Sequence, residues 1–599
     1  MSSSDWQRTR ESVASLERCL GDPASDVSPV NFRSALRHDE DETVPLAEYR
    51  ALDAWGLNRR LVPEALGGEL RSLDELMLLF RSVFRRDSAL GIGYGLSSLL
   101  AGLPVWHSGS AAQQARLAAR LLAGDAVSVC FHERQHGSDV LGNEFRARRQ
   151  GASYLLSGEK WLINNIGRAS AATVFARTRD GNTPRSHSLF FVEQDTLERG
   201  RVLARIKTVG IRGCALAGWA ADDVPLDAEA LVGAEGGGFE ITAKAFQLSR
   251  AVLPGMAIGI VDSALRLCHD FLSRRRLYRV RAIDIPLVRR TLQTCFLDIV
   301  AADCLALAAA RMAHAMPGQL GLASAIAKLW IPRTLDGTMK SLAVLLGARH
   351  YLRGGEYGGF QKLLRDFPVS YLVHTSAGVC QSLLIQQLRQ IASSGGARGA
   401  DFDIQSGLQR AFDLRERLPA LRMEQLALSA CGGDVVVGGL RAMLARVDNG
   451  DGHHDVAAAV RRQICRYGSA LCDAHDVLMA RVRGELVSLA ADHPAWFDAA
   501  TRYAQLYAAA CALWLWHCNP NPHEVGIDPQ FRQGAWLMQM LESALGFEPS
   551  EPRGDGALVA ATLAERVAGN WSFGLLRLPY AGATQPANPE ESTSQGSFP

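Results

Sequence analysis

Apolar residues recur at three- and four-residue intervals through the first part of the chain, most clearly at 73–83 and 111–122, and nothing there alternates with a period of two. That spacing lays an apolar stripe along each helix, so an all-α domain is expected over residues 1–123. From about Asp125 the texture shortens. The β-branched and aromatic runs Val127–Phe131, Tyr154–Ser157, Thr173–Arg177, Ser188–Val192 and Arg201–Lys207 are separated by Gly, Asn and Asp. They read as strands of a small barrel or sandwich over residues 124–238. Beyond Gly236-Gly237-Gly238 the helical period returns in four long segments, near 239–275, 285–316, 322–348 and 368–394, which predicts a four-helix bundle over 239–395. A Gly/Ser/Ala-rich joint at 393–399 leads to more helical pattern at about 406–575, read as an additional C-terminal helical domain over 400–580. The Pro-, Ser- and Glu-rich end, 581–599, has no apolar period and is expected to be a disordered tail. The fold class is therefore an α+β multidomain one.

Composition narrows the functions rather than the fold. In 599 residues, 64 Lys and Arg face 62 Asp and Glu, a net charge of +2, too balanced for a protein that binds a phosphate backbone. The 12 cysteines form no CxxC pair, and the first residues carry neither a basic nor an apolar leader, so buried thiols in the cytoplasm are expected. The long apolar stretch Trp496–Cys518 contains Asp498 and Arg502, which argues for a buried helix and against a membrane span.

Chemistry enters at one junction. The segment Cys130-Phe131-His132-Glu133-Arg134-Gln135-His136-Gly137-Ser138-Asp139 is followed about twenty residues later by Ser157-Gly158-Glu159-Lys160-Trp161-Leu162-Ile163-Asn164-Asn165. Together they resemble the two flavin-contacting strand ends of the acyl-CoA dehydrogenase and acyl-CoA oxidase superfamily, written T-E-x-x-x-G-S-D and G-x-K-x-W-I-[TS]-N. Further segments follow in the same order: Lys207–Gly213, Asp223-Val224-Pro225, Leu248-Ser249-Arg250, Arg275-Arg276-Leu277-Tyr278 and Phe360–Asp366. The resemblance covers about residues 40–395, and the extra C-terminal helices resemble those of the larger members.

The resemblance implies an FAD-dependent enzyme that introduces an α,β double bond into an acyl thioester. A carboxylate takes the α-proton, the β-hydrogen leaves as hydride, and a backbone N–H at the base position helps polarise the thioester carbonyl. By position, His132, Ser138, Trp161, Asn164, Arg275 and Gly347 are the implied cofactor contacts, Arg275 toward the pyrophosphate. Ser138, Ser249 and Arg250 are implied near substrate, and no metal is expected. The resemblance further implies an acyl-CoA or acyl carrier protein thioester as partner, an electron-acceptor protein or oxygen, a homodimer, and a place in tailoring fatty acyl chains for specialised metabolism.

The family's usual base is missing. Eight residues after Asp366, where the family has glutamate, stands His374, and the alternative glutamate position before Arg250 is Ser249. His374 is a candidate base, since a neutral imidazole accepts a proton near neutral pH. Two alternatives stand beside it: His374 packs or positions substrate while Glu133 or Glu356 acts as base, or the chemistry is altered and the fold serves as a binding scaffold. His132, Leu162 and Asn164 also replace the family's threonine, stacking tryptophan and second threonine, and the adenine-end glycine loop is reduced to 344–351 around Gly347. Three weaker signals have structural readings. The Asp448–Asp455 run fits a solvated turn, Arg274–Arg276 with Arg279 and Arg281 a solvated helix end or an acidic partner's dock, and Trp514 and Trp516 core packing.

Overall fold

The structure, a computed structural model, describes residues 5–373, 375–393, 402–430, 433–547 and 555–583. The expectations placed on His374, on the joint beyond Ser393 and on the tail beyond Ala583 concern residues outside that set.

Seven helices open the chain: α1 (Asp5–Leu20), α2 (Phe32–Glu40), α3 (Leu46–Trp55), α4 (Leu73–Phe84), α5 (Ser88–Gly91), α6 (Ser97–Ser108) and α7 (Ala111–Leu122). Asn31, Ser72, Asp87 and Ser110 start four of them by accepting first-turn backbone N–H groups. Every residue of α4 is buried. Between α5 and α6, Ile92–Leu96 form a π-helical turn. Such a turn frees carbonyls from the helical ladder.

The sheet domain follows with β1 (Val127–Cys130), β2 (Arg146–Gln150), β3 (Ser153–Asn164), β4 (Ala171–Arg177), β5 (His187–Glu193), the short helix α8 (Gln194–Arg199), β6 (Arg201–Val202), β7 (Leu216–Asp227) and β8 (Leu231–Val232). The order is β6-β7-β3-β2-β4-β5-β8, with β1 parallel to β4. Three strands of this sheet escape the sequence pattern, β2, β7 and the two-residue β8, and of the run expected over 201–207 only Arg201 and Val202 pair in the sheet. Along β3 the pairing with β7 slips twice, at Leu156/Gly158 and at Lys160/Ile163. The second slip inserts a residue and reverses the in-and-out alternation, so Lys160 and Ile163 are both buried and Leu162, at φ 59°, stays 38% exposed.

The helical part is α9 (Gly238–Val252), α10 (Pro254–Arg274), α11 (Pro286–Ala315), α12 (Leu320–Leu346), α13 (Gly358–Asp366), α14 (Val369–Leu372) and α15 (Ala377–Ser393). The segment expected at 239–275 breaks at Pro254, and the one at 368–394 starts as a helix only at Ala377, after the single turn of α14. A two-stranded hairpin, β9 (Arg276–Leu277) and β10 (Val280–Arg281), joins α10 to α11. The extra C-terminal helices are α16 (Phe402–Phe412), α17 (Val435–Gly438), α18 (Leu440–Asp448), α19 (Ala458–Gly484), α20 (Pro494–Cys518), α21 (Ala535–Leu545) and α22 (Asp555–Ala568). Helix α20 packs along α11, α12 and α15 and is buried, as Trp514 and Trp516 are. By length and composition three other helical stretches, Ser88–Ser108, Gly238–Arg274 and Pro286–Ala315, are apolar enough to cross a membrane, and their most apolar windows are 100%, 94% and 78% buried inside the fold.

Buried ion pairs fasten the three parts to one another. Lys362 of α13 lies 2.6 Å from both Asp87 and Asp366, and Asp366 also accepts the Ile211 N–H of the sheet domain at 2.7 Å. Asp39 of α2 accepts Arg212 and Arg365, each at 2.5 Å. All described cysteines are free, and only Cys19 and Cys465 are not buried.

Candidate active site

The two motif segments meet where the sheet domain touches both helical parts. Phe131, at the end of β1, packs between Phe175 of β4 and Phe246 of α9, with ring centroids 5.0 and 5.2 Å away. The following loop is anchored by Glu133. Its carboxylate accepts Lys160 Nζ at 2.8 Å and the backbone N–H groups of Glu144 and Phe145 at 2.6 and 3.0 Å. Burial alone would raise this carboxyl, but the Lys160 ammonium and the two N–H donors outweigh it and hold it below the usual range. Glu133 thus serves as a loop pin, with three of its acceptor positions taken by Lys160 and two backbone N–H groups. Glu356, the other carboxylate considered, is exposed and ion-paired to Arg274 at the surface end of α10.

The loop carries Ser138 to the bundle, where its Oγ lies 3.3 Å from Ser376 Oγ; Ser376 in turn accepts the Val379 N–H of α15. On β3, the Trp161 N–H donates to the His132 carbonyl at 2.9 Å, and Arg134 lies 5.3 Å from the Trp161 ring centroid. His132 itself is half-buried, and burial with the nearby Lys160 charge keeps its imidazole below its ordinary pKa and so neutral. The bulge presents Leu162, not Trp161, as the exposed apolar side chain of this strand end.

Asn164 donates from Nδ2 to Ser97 Oγ at 2.8 Å and to the Ile92 carbonyl of the π turn at 3.3 Å. Its Oδ1 is buried and has no hydrogen-bond partner among the described residues. A buried acceptor left empty costs free energy comparable to a lost hydrogen bond, so this atom marks a place for a donor.

Ser249 is buried on α9, and its hydroxyl donates to its own helix at Phe246. Beside it Arg250 reaches Ser324 of α12, and one turn on, Lys328 donates to the Ser370 carbonyl of α14 at 2.5 Å. Sequence reasoning passed over Ser324 and Lys328. The available signal was a lone lysine inside the apolar run Ala323–Trp330.

Two implied contacts stand elsewhere. Gly347 caps the far end of α12 at φ 61°, and Arg275 is exposed at the end of α10, where Arg349 lies 4.9 Å from the ring centroid of Phe271. At 1.5 Å per helical residue, Gly347 is about 28 Å along α12 from Lys328. The structure therefore divides the residues into a junction group, His132, Ser138, Trp161, Asn164, Ser249 and Arg250, and a distal group, Arg275 and Gly347. The Asp448–Asp455 turn is no open ligand cluster: His453 lies between Arg532 and His517, 2.9 Å from each, and Asp455 pairs with Arg532.

Sequence models of the acyl-CoA dehydrogenase N-terminal, middle and C-terminal domains match residues 30–125, 128–224 and 236–379. Short-chain specific acyl-CoA dehydrogenase of Homo sapiens is 26% identical over 284 residues, 47% of this chain and 68% of that one. For (2S)-methylsuccinyl-CoA dehydrogenase of Cereibacter sphaeroides the figures are 27% over 276 residues, 44% and 50%. Among solved structures, glutaryl-coenzyme A dehydrogenase in complex with glutaryl-CoA superposes with a TM-score of 0.57 at 22% identity, over 64% of this chain and 94% of that one. The FAD complex of PigA gives 0.58 at 16%, over 65% and 98%, and the prolyl acyl carrier protein oxidase AnaB 0.56 at 17%, over 64% and 99%. These structural likenesses establish the shared fold.

Proposed function

The chain belongs to the acyl-CoA dehydrogenase family, and on that premise we propose that it is an FAD-dependent oxidoreductase that introduces an α,β double bond into an acyl thioester carried by coenzyme A or an acyl carrier protein. The observation that carries this reading is the convergence of the Ser138 loop, the β3 bulge and the start of α15 at one junction, with Asn164 Oδ1 buried and unpaired there. Those features fit an isoalloxazine edge, which brings a ring N–H for Asn164 and an apolar face for Leu162. When bound, FAD supplies the hydride acceptor. The chain's own residues do the rest. Ser138 and Ser376 offer hydroxyls at the mouth between sheet and bundle, neutral His132 adds polarity without charge, and the helices α9, α12 and α15 receive the acyl group.

The base falls to His374 by its place in the sequence. In His374→Ala, flavin binding is expected to persist while single-turnover bleaching by an acyl thioester is lost. Undiminished bleaching would remove His374 from the role.

The distal position of Arg275 and Gly347 supports a homodimer in which one copy's Arg275 serves the cofactor of the other. Sedimentation of the flavin-loaded protein as a monomer would count against that arrangement. The electrons then pass to an acceptor protein or oxygen. A second reading, an altered scaffold without dehydrogenation, draws on the engagement of both carboxylates considered as a base: Glu133 holds Lys160 and two backbone N–H groups, and Glu356 is paired at the surface. An absorption spectrum of the purified protein decides between the two, taken before and after anaerobic butyryl-CoA. Flavin absorbance that bleaches supports oxidation, and failure to bind FAD in excess supports the scaffold.

A further inference from the structure

Two cations are buried in the bundle without an acid. Arg250 is 4% exposed and Lys328 1%, and among the described residues neither has an Asp or Glu as ion-pair partner. The Arg250 guanidinium makes one hydrogen bond, a long one of 3.4 Å from Nε to Ser324 Oγ. Lys328 makes one, to the Ser370 carbonyl. The electrostatic neighbour they share is the Cys380 thiol, and they oppose each other: burial, offset in part by Cys380 and reinforced by Arg250, brings Lys328 down to about 8. The first turn of α15 lies at the same place, since Cys380 belongs to it and Ser376 accepts a backbone N–H there, so a helix N-terminus adds further positive potential.

Other buried cations among the described residues are matched, by acids in Lys362 with Asp87 and Asp366, Arg81 with Asp262 and Asp303, and Lys160 with Glu133, or by a full set of carbonyls in Arg177, which donates to those of Leu141, Asn143 and Gly181. A buried ion persists when it is paired or when it loses its charge, and a guanidinium keeps its charge at any ordinary pH. The unmet positive charge lies where α9, α12, α14 and α15 meet, the region that receives the acyl group under the reading above.

We propose that Arg250 and Lys328 form an anion site within the acyl pocket, and that the acyl group of the substrate carries a carboxylate, as in a monothioester of a dicarboxylic acid. This specificity rests on the thioester-oxidation reading. A carboxylate suits the pair because a planar guanidinium binds it through two parallel N–H donors while the ammonium takes one of the remaining lone pairs. Neutral acyl chains would leave both cations unmatched.

The test uses the flavin-loaded full chain. Calorimetric titration with free glutarate and with pentanamide, an uncharged amide of the same five-carbon length, reads the site without turnover. Glutarate is expected to bind and pentanamide not to. Arg250→Met and Lys328→Met, each checked for native circular dichroism and flavin content, are expected to weaken glutarate about ten- to a hundredfold, the loss typical of one charged hydrogen bond. Arg250→Lys, which keeps the charge, should retain part of the affinity if the methionine variant fails to fold. Glutarate binding equal to that of pentanamide, or unchanged in both methionine variants, would overturn the proposal.

Bleaching rates with glutaryl-CoA and hexanoyl-CoA separate it from the wider reading. Bleaching by both at equal efficiency removes the carboxylate specificity and leaves thioester oxidation intact. No bleaching by either, with glutarate still bound through Arg250, removes the oxidation and leaves the anion site.

Discussion

At the scale of single residues, the pair Glu133 and Lys160 decides whether the motif loop keeps its shape. Lys160 is fully buried and donates to both Glu133 and the Phe131 carbonyl, so it ties β3 to the loop that bears Ser138. Removing one partner strands a buried charge. Lys160→Met is expected to cost about 3–5 kcal/mol in urea unfolding, while the double variant Glu133→Gln/Lys160→Met recovers much of the loss because no ion is then left alone. The pH dependence has a definite sign. The folded carboxyl sits below its unfolded value, so its contribution is complete above about pH 4.3 and disappears as pH falls through the folded value. The stability gap between the wild type and Glu133→Gln should accordingly hold steady from pH 8 to 5 and close below about 4. A gap that grew on acidification would mean the pair is not formed.

At the scale of elements, the bulged strand β3 sets the geometry of the site. Gly158 sits at φ 130°, and a Cβ there would lie 3.1 Å from the Phe145 backbone, so Gly158→Ala is expected to lower the melting temperature through about 1–3 kcal/mol of strain. Leu162→Gly makes the contrasting case. Its φ of 59° is one that glycine adopts freely, so stability should hold or rise by up to about 1 kcal/mol while flavin affinity falls with the lost apolar surface. Equal flavin affinity in Leu162→Gly would place the ring elsewhere. These same elements show what a sequence reveals. Strands buried on both faces, such as β4 and β5, announce themselves by predominantly apolar, β-branched and aromatic runs. Strand β2 (Arg-Ala-Arg-Arg-Gln) buries only Ala147, and β7 carries Gly218, Asp222-Asp223 and Pro225, residues that signal turns. Neighbouring strands override those local preferences. The motif residues of the junction were legible because they are local in sequence. The separation of Arg275 and Gly347 from them was not, because it depends on the length of α12, 27 residues continuous through Pro332.

At the scale of the whole molecule, the C-terminal segment is part of the core rather than an appendage. After α22 the chain re-enters between α4, α10 and α11. The Phe573 N–H and the Tyr580 hydroxyl both donate to Asp262 Oδ2 at 2.8 Å, and the Leu576 N–H donates to Asp303 Oδ2 at 3.4 Å. Arg81 of α4 bridges the same two aspartates at 3.3 Å each, and Arg85 lies 3.7 Å from the Tyr580 ring centroid. Residues 573–580 therefore complete the shell of two buried carboxylates that the N-terminal helices and the bundle also share. Tyr580→Phe deletes one donor to a charged acceptor and is expected to cost about 1.5–3 kcal/mol. Ending the chain at Ala568 deletes all three donors together and uncovers the apolar side chains of Phe573, Leu575, Leu576 and Leu578, each buried in the intact chain. The truncated protein should lose far more than Tyr580→Phe, and its N-terminal helices should unfold in the same transition, because Arg81 is held between carboxylates that the segment helps satisfy. Hydrogen exchange of α4 amides reads this directly: rapid exchange is expected in the truncated chain, and protection equal to that of the intact protein would show that the segment is docked onto a core already complete without it.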